Sequence, residues 1–342
     1  MKILISTDPE IPVPPALYGG AERVAYGLIK GLKKEGHEII LLANKASKAP
    51  EVDKLIGWKK ELSIGFWNIL INAFQLFKVI KQEKPDVVYC YSRILYLYPS
   101  WLLTRKVFFK RYGRFISPKS TALANTLIGK RIIYTANGRH MINHLPDQQK
   151  WHIIHNMVDT DLFKDDPGRI KNYLFFLGRI EHIKGTKEAI EAALAANEKL
   201  VIAGNIPPEH QSYFDQYVKP HLSNPLFKYI GPVNDEEKIK WLQGAKGMLL
   251  PLNLAVEAFP NTMIESLACG TPVIGFNISA VPEAVTNQLN GYVVKNVEEM
   301  TAAIKKLDSI DRQKVREDAI KRFSIPVITQ QHISLFQKYL YK

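Results

Sequence analysis

Cysteine is almost missing from the 342 residues: only Cys90 and Cys269 occur, each in apolar surroundings. That excludes a disulfide framework and thiolate metal sites, and predicts two buried free thiols in a reducing compartment. An unbroken apolar run is missing too. The most apolar stretch, Leu62 to Ile80, is interrupted by Asn68, Asn72, Gln75 and Lys78. Its Phe66, Ile69, Leu70, Ala73, Phe74 and Phe77 recur at helical spacing, which predicts an amphipathic helix with that face in the core and not a membrane span. No basic-then-apolar leader with a small-residue cleavage site is present, so Met1 is expected to begin the folded protein, in the cytoplasm. The G-x-G-x-x-G fingerprint is absent, and Ala43 and Asn44 stand where a dinucleotide site needs an acid, which argues against a nicotinamide dehydrogenase. Paired zinc ligands and aromatic RNP-type strands are also lacking, so nucleic acid is not an expected partner. Internal repeats and low-complexity segments are absent.

What is present is an ordinary globular composition, 46% apolar and 23% charged, on a chain long enough for two cores. The charge is uneven. Residues 1–169 hold 26 Lys and Arg against 15 Asp and Glu, whereas residues 170–342 hold 20 against 18. A basic first half suits an anionic lipid surface or a phosphorylated substrate, although Lys33, Lys34, Lys59 and Lys60 can equally be solubilising. Peripheral contact with an anionic membrane at its inner face therefore stays open.

Strand and helix signals alternate along the first half. Strands are expected at Lys2–Ser6, His37–Ala43, Asp86–Tyr91, Arg131–Ala136 and Trp151–His155, with a helix over Ala21–Lys34. Such alternation predicts a parallel sheet covered on both faces, with ligands at the strands' carboxyl ends. The loop after the first strand ends in Tyr18-Gly19-Gly20-Ala21-Glu22-Arg23, where a phosphate could approach the backbone, although a Gly pair is also an ordinary turn. The alternation restarts at Asn172–Leu177. That strand runs into Gly178-Arg179-Ile-Glu-His-Ile-Lys184-Gly185-Thr186, with two cations in a strand-to-helix loop beside a helix N-terminus at Thr186. Cations and free amides together there would hold a diphosphate and stabilise it as it leaves, unless both are surface cations. Strands follow at Leu200–Gly204 and Phe227–Ile230, a helix at Asp235–Gln243, a strand at Gly291–Val294 and helices over Val297–Leu307 and Asp311–Phe323. Ile325-Pro326 reads as a break before a last helix, Val327–Tyr341.

The chain is organised around Pro251 to Phe276. An apolar strand, Gly247–Pro251, leads into a loop carrying Glu257, Phe259, Pro260 and Asn261. A helix from Thr262 to Cys269 then carries Glu265 and stops at Gly270, and a new strand follows. The helix N-terminus suits a phosphate or sugar oxygen, and a carboxylate accepts two hydroxyls at once. Hydroxyls beside phosphates describe a sugar nucleotide. The plainer alternative is a solvated loop glutamate and a surface helix glutamate.

This segment, Glu257-Ala-Phe-Pro-Asn-Thr-Met-Ile-Glu265-Ser-Leu-Ala-Cys-Gly-Thr-Pro-Val-Ile274, resembles the E-x7-E signature of retaining glycosyltransferase family 4, with Pro260 and Asn261 in place of the usual Gly and Leu. Gly178-Arg179 to Lys184-Gly185 resembles the family's G-R-x-x-x-x-K-G. Asn156-Met157-Val-Asp159 to Phe163 resembles its domain junction, and Gly19-Gly20 with Glu22 its GG-x-E loop. The resemblance implies a GT-B architecture, two Rossmann-like domains whose parallel sheets face an interdomain cleft. Residues 1–160 with a returning C-terminal helix, 325–342, would form the acceptor domain, and residues 161–324 the donor domain.

It further implies transfer of a glycosyl group from a nucleotide-diphosphate sugar to an acceptor hydroxyl with retention and without a metal. Arg179 and Lys184 would stabilise the leaving diphosphate, Glu265 would hold the ribose, and Glu257 with the amides from Phe259 through Pro260 and Asn261 to Thr262 would hold the sugar. Gly20, Gly178 and Gly204 would let the backbone approach the donor. Asp159-Thr-Asp161 lies in the junction and reads as structural rather than metal-binding. The family's first-domain histidine has no counterpart after Asp86–Tyr91, where Cys90-Tyr-Ser92-Arg93 stands, nor in Lys110-Arg-Tyr112-Gly-Arg114. Glu22, Ser92, Arg93, Arg114 and His140 are the acceptor-side candidates. The acceptor could be a glycan, a lipid-linked sugar or a small molecule. A GT-B sugar-nucleotide epimerase and a non-catalytic sugar-nucleotide-binding protein remain alternatives.

Overall fold

In the computed structural model, which describes residues 1–16, 19–113, 116–118, 121–122, 131–255 and 257–340, the chain divides into two compact units. One is Met1–Met157 with Ile325–Lys342; the other is Val158–Ser324. The first unit is built on seven parallel strands: β1 (Lys2–Ser6), β2 (Glu38–Ala43), β3 (Lys54–Gly57), β4 (Val87–Cys90), β5 (Phe108–Tyr112), β6 (Ile132–Ala136) and β7 (Trp151–Ile153). Their order across the sheet is β3-β2-β1-β4-β5-β6-β7. Ile3, Leu4 and Ile5 are all fully buried because helices cover both faces, so β1 is apolar at every position instead of alternating. β1 pairs with β2 on one side and β4 on the other, which makes the gap between β1 and β4 the point where strand order reverses. α1 (Gly20–Lys34), α2 (Phe66–Glu83) and α3 (Tyr98–Leu103) connect these strands.

β3 and β5 are strands that the sequence pattern did not announce. β3 is a short, half-exposed edge strand beginning with a lysine. β5 carries Lys110 and Arg111 in its interior, both almost fully buried. Each is tolerated because its donors reach backbone oxygens. Lys110 Nζ donates to the carbonyls of Tyr91 (2.9 Å) and Arg111 (2.8 Å), and Arg111 donates to Ile154 O (3.2 Å) and Asn156 Oδ1 (2.8 Å).

α2 corrects the expected burial. Its buried side chains are Asn72, Ala73, Gln75, Leu76, Val79 and Ile80, while Phe66 and Phe74 are exposed and Ile69, Leu70 and Phe77 only half-buried. The polar residues turn inward because they clamp the preceding loop. Asn72 Nδ2 donates to Lys60 O (2.9 Å) and Gln75 Nε2 to Gly57 O (2.8 Å). The helix is thus apolar on the side away from the core as well.

The C-terminal helix, Ile325–Leu340, packs within the first unit. It starts at Ile325 with Pro326 in its first turn, where a missing N–H costs nothing, so Ile325-Pro326 opens the helix instead of interrupting it. His332 is fully buried and locked as a neutral tautomer: Nδ1–H donates to Ile328 O (2.8 Å), leaving Nε2 to accept from Tyr89 Oη (3.0 Å). Burial, reinforced by the Arg111 charge, pulls its pKa down from 6.5 to about 3. The unfolded chain therefore takes up a proton that the folded chain refuses, so this stability is complete above pH 6.5 and is lost as pH falls toward 3. Between pH 7 and 5 the loss should be about 2 kcal/mol. Urea midpoints at both pH values, for wild type and His332→Gln, check this: the wild type should lose more, and equal losses would clear His332.

The second unit has six parallel strands, β8 (Tyr173–Leu177), β9 (Leu200–Ala203), β10 (Phe227–Tyr229), β11 (Ala245–Leu250), β12 (Val273–Phe276) and β13 (Gly291–Val294), in the order β10-β9-β8-β11-β12-β13. The order reverses between β8 and β11. Three helices adjoin these two strands along the chain: α4 (Thr186–Ala195) after β8, α5 (Asp235–Gly244) before β11 and α6 (Asn261–Ala268) after it. Cys90 and Cys269 are both free and buried, one in each unit.

Candidate functional site

Because β8 and β11 are neighbours at the reversal point, the loops at their carboxyl ends must meet. The β8 loop carries Gly178, Arg179 and, in a 3-10 turn, Lys184. The β11 loop runs from Pro251 to Pro260 and carries Glu257. Asn253 clasps the two together: its backbone N–H donates to Ile183 O (3.0 Å) and its side chain to His182 O (2.8 Å). The Lys184 ammonium then forms an ion pair with the Glu257 carboxylate, each about one-fifth exposed. Ser279 Oγ donates to Glu257 O and pins the loop from the β12 side.

Gly185 is required here. Its φ of 75° lies in the left-handed region, and a Cβ would collide with the Pro251 carbonyl. Gly204, at the end of β9, approaches Gly178 O just as closely.

Two helices begin at this edge of the sheet. α4 starts after Gly185 and α6 after Pro260, and neither N-terminus is capped by a side chain. Their first-turn amides and the helix dipoles favour an anion. Asn261 and Thr262 form the first turn of α6 and are half-exposed, whereas the Phe259 side chain is buried against Phe323, so this phenylalanine is placed to offer only its backbone to a ligand.

Two further ion pairs complete the arrangement. Arg179 Nη2 sits 2.8 Å from the buried Glu181, which also faces His210 Nε2 at 3.2 Å. Glu265, on α6, is 3% exposed and its carboxylate lies 2.8 Å from Lys238 Nζ on α5. Lys238 is itself buried and reaches Asp235 at 2.9 Å. Each of the three cations is thus held by a carboxylate, and a diphosphate could recruit those facing solvent by exchange.

Glu181, His210, Asn253 and Lys238 were not singled out from sequence. Only Lys238 left a signal, since its spacing to Trp241 and Leu242 places a lysine on the apolar stripe of α5. Among the described residues, no cluster of three or more His, Cys, Asp or Glu side chains is arranged to hold a metal ion.

In the first unit, Gly20 begins α1 exposed and Glu22 is buried in its first turn. Ser92 is fully buried, its hydroxyl 3.2 Å from both Ser6 Oγ and Cys90 Sγ, so it ties β1 to β4 at the reversal point instead of facing solvent. Arg93 is exposed and His140 half-exposed in a 3-10 turn after β6. Arg114 and Tyr18 lie outside the described residues.

Residues 159–322 match the family described as glycosyl transferases group 1, and residues 18–162 match glycosyltransferase family 4. The O-antigen chain mannosyltransferase C of Escherichia coli is 24% identical over 292 residues, 77% of either chain. Among solved structures, a glycosyltransferase involved in avilamycin A biosynthesis superimposes with a TM-score of 0.78 at 22% identity, covering 100% of this chain and 98% of its own. The Anabaena protein HepE in complex with UDP-glucose gives 0.76 at 15% identity, covering 99% and 100%.

Proposed function

The chain belongs to the glycosyltransferases of group 1 and family 4, with a GT-B fold, and from that premise we propose that it moves a sugar from a nucleoside-diphosphate sugar to an acceptor hydroxyl with retention. The observation that supports this reading is the Lys184–Glu257 ion pair joining the β8 and β11 loops beside two uncapped helix N-termini at one strand-order reversal. A diphosphate draws Lys184 from Glu257 and takes Arg179 alongside it. The released Glu257 carboxylate then accepts hydroxyls of the donor sugar, next to the amides of residues 259–262. Glu265, held rigid by Lys238, accepts the ribose hydroxyls. Gly178 and Gly204 keep the strand ends low enough for the nucleotide to approach.

The bond between the anomeric carbon and the β-phosphate oxygen breaks, and the acceptor oxygen bonds to that carbon on the same face. The acceptor's proton passes to the departing phosphate oxygen. Negative charge grows on the diphosphate as the bond lengthens, and Arg179, Lys184 and the helix termini are already in place for it, so we propose no metal and no other cofactor. In the first unit, Gly20 is proposed to admit a phosphate to the backbone, and Glu22, Arg93 and His140 to meet the acceptor. The likeness to an O-antigen chain mannosyltransferase supports a growing glycan as that acceptor.

A thermal-shift screen with UDP, GDP, ADP and dTDP, first without and then with magnesium, tests the donor site. UDP goes first, given the Anabaena neighbour's ligand. One diphosphate should stabilise the protein without metal, by about 2.7 kcal/mol at a hundredfold excess over its Kd. No shift with any of the four would overturn the reading, and product formed without acceptor would replace transfer by epimerisation.

A further inference from the structure

We propose that the face formed by α2, α3 and the loop before α2 is a docking surface for an anionic lipid bilayer. Half of the large hydrophobic side chains exposed on the described residues fall in these segments, including Leu62, Ile64, Phe66, Trp67, Leu102 and Leu103. Phe66 and Trp67 are 71% exposed and rest edge-to-face on each other at 5.4 Å. α3 packs directly on α2, so the two helices present their exposed apolar side chains side by side. Exposed aromatic and aliphatic side chains gathered on neighbouring segments mark an interaction site. The feature is built in: α2 turns Asn72 and Gln75 inward to clamp a loop and leaves apolar side chains outside.

Charge selects the occupant. Between residues 59 and 106 the chain holds eight lysines and arginines but three acids. All three acids are engaged from outside the patch: Glu61 with Lys45 (3.5 Å), Glu83 with Lys54 (2.6 Å), and Asp86 with the Lys2 backbone N–H (2.7 Å). Lys59 and Lys60 are exposed just before the apolar tip, Lys78 and Lys81 along α2, and Arg105 after α3. A hollow of about 630 Å³ beside Leu102 and Leu103 is also lined by Arg105 and Arg131.

Aromatic and aliphatic side chains surrounded by cations match the layered chemistry of a bilayer surface, acyl carbon beneath anionic headgroups. A second copy of this chain matches badly, because a two-fold contact would set this basic rim against itself. No helix of the described residues is long and apolar enough to cross a membrane, so the contact is with one leaflet's surface.

The proposal does not depend on the donor chemistry, and its test requires no turnover. Full-length protein is sedimented with vesicles of phosphatidylcholine alone and of phosphatidylcholine mixed with phosphatidylglycerol, at low and high salt. Binding should appear with the anionic vesicles, weaken with salt, and shift the fluorescence of Trp67 to the blue, a shift absent in Trp67→Phe. The double variant Phe66→Ser/Trp67→Ser should lose about tenfold or more in vesicle affinity, and so should Lys59→Glu/Lys60→Glu. Reversal of the exposed Lys305 and Lys306 in the second unit should change nothing. Retained thermal stability in each variant shows that the fold is intact. Wild-type protein that ignores anionic vesicles, or variants that bind as wild type, would overturn the proposal. A wild-type dimer that becomes a monomer in Phe66→Ser/Trp67→Ser would overturn it as well, assigning the face to a second copy.

Discussion

Replacing Lys184 or Arg179 by alanine should lower turnover about a hundredfold or more, the loss typical of one preorganised charge contact to a transition state. The effect belongs in kcat more than in KM, because the charge these residues meet is greatest as the diphosphate departs. The structure adds a distinction between the two positions. Lys184 is paired with Glu257, so Lys184→Ala removes the proposed phosphate ligand and also breaks its ion pair with the carboxylate proposed to hold the sugar. Arg179 is paired with Glu181, a buried residue that is not proposed to touch the sugar. Lys184→Ala and Glu257→Gln should therefore combine non-additively, whereas Arg179→Ala and Glu257→Gln should come closer to additive. Initial rates at saturating donor, with acceptor varied, measure this. Near-normal turnover in both alanine variants would remove the phosphate site from the β8 loop.

Lys238→Ala should destabilise the second unit by about 3 kcal/mol or more, because it leaves the Glu265 carboxylate buried without its cation. For a unit of this size the fall in Tm is on the order of 10 °C. The companion double variant, Lys238→Met/Glu265→Leu, should recover much of that loss, since well-packed apolar residues often replace a buried ion pair at little cost. Donor binding should not recover with it, because the ribose would have lost its acceptor. Calorimetry and diphosphate titration on the same samples separate the two roles. Restored binding in the double variant would take Glu265 out of the donor site and leave it a purely structural residue.

Glu265 and Lys238 differ in how far local sequence reveals them. Glu257 and Glu265 stand in a strand-loop-helix-strand pattern whose turns are marked by Pro260 and Gly270, and that pattern is written locally. Arg179 and Lys184 are likewise placed by the end of one strand and the start of one helix. Lys238 lies in a run of Asp, Glu and Lys, and although its spacing to Trp241 and Leu242 sets it on the apolar stripe of its helix, its partner lies on another helix and is not legible locally. Lys110 and Arg111 obscured β5 in the same way: a strand with two cations at its centre reads as a loop until backbone carbonyls from Tyr91 and Ile154 are brought to them. α2 was legible as a helix, but its apolar residues lie on two sides, and periodicity alone chose the outer one.

By itself, then, the sequence determined the alternation of strands and helices apart from β3 and β5, the two parallel sheets, the helix starts beside the site and the residues that line the turns before them. These follow from side-chain spacing, from the limits on proline and glycine, and from burial of continuous apolar strands, all of which act over a few residues. Tertiary structure alone decided that β8 lies beside β11, that Lys184 meets Glu257 and Lys238 meets Glu265, and which face of α2 is left outside. Those outcomes depend on contacts between segments tens of residues apart. Strand order and the partner of a buried charge are settled only when the whole sheet closes its core, since no local spacing carries the energy of a pairing made across it.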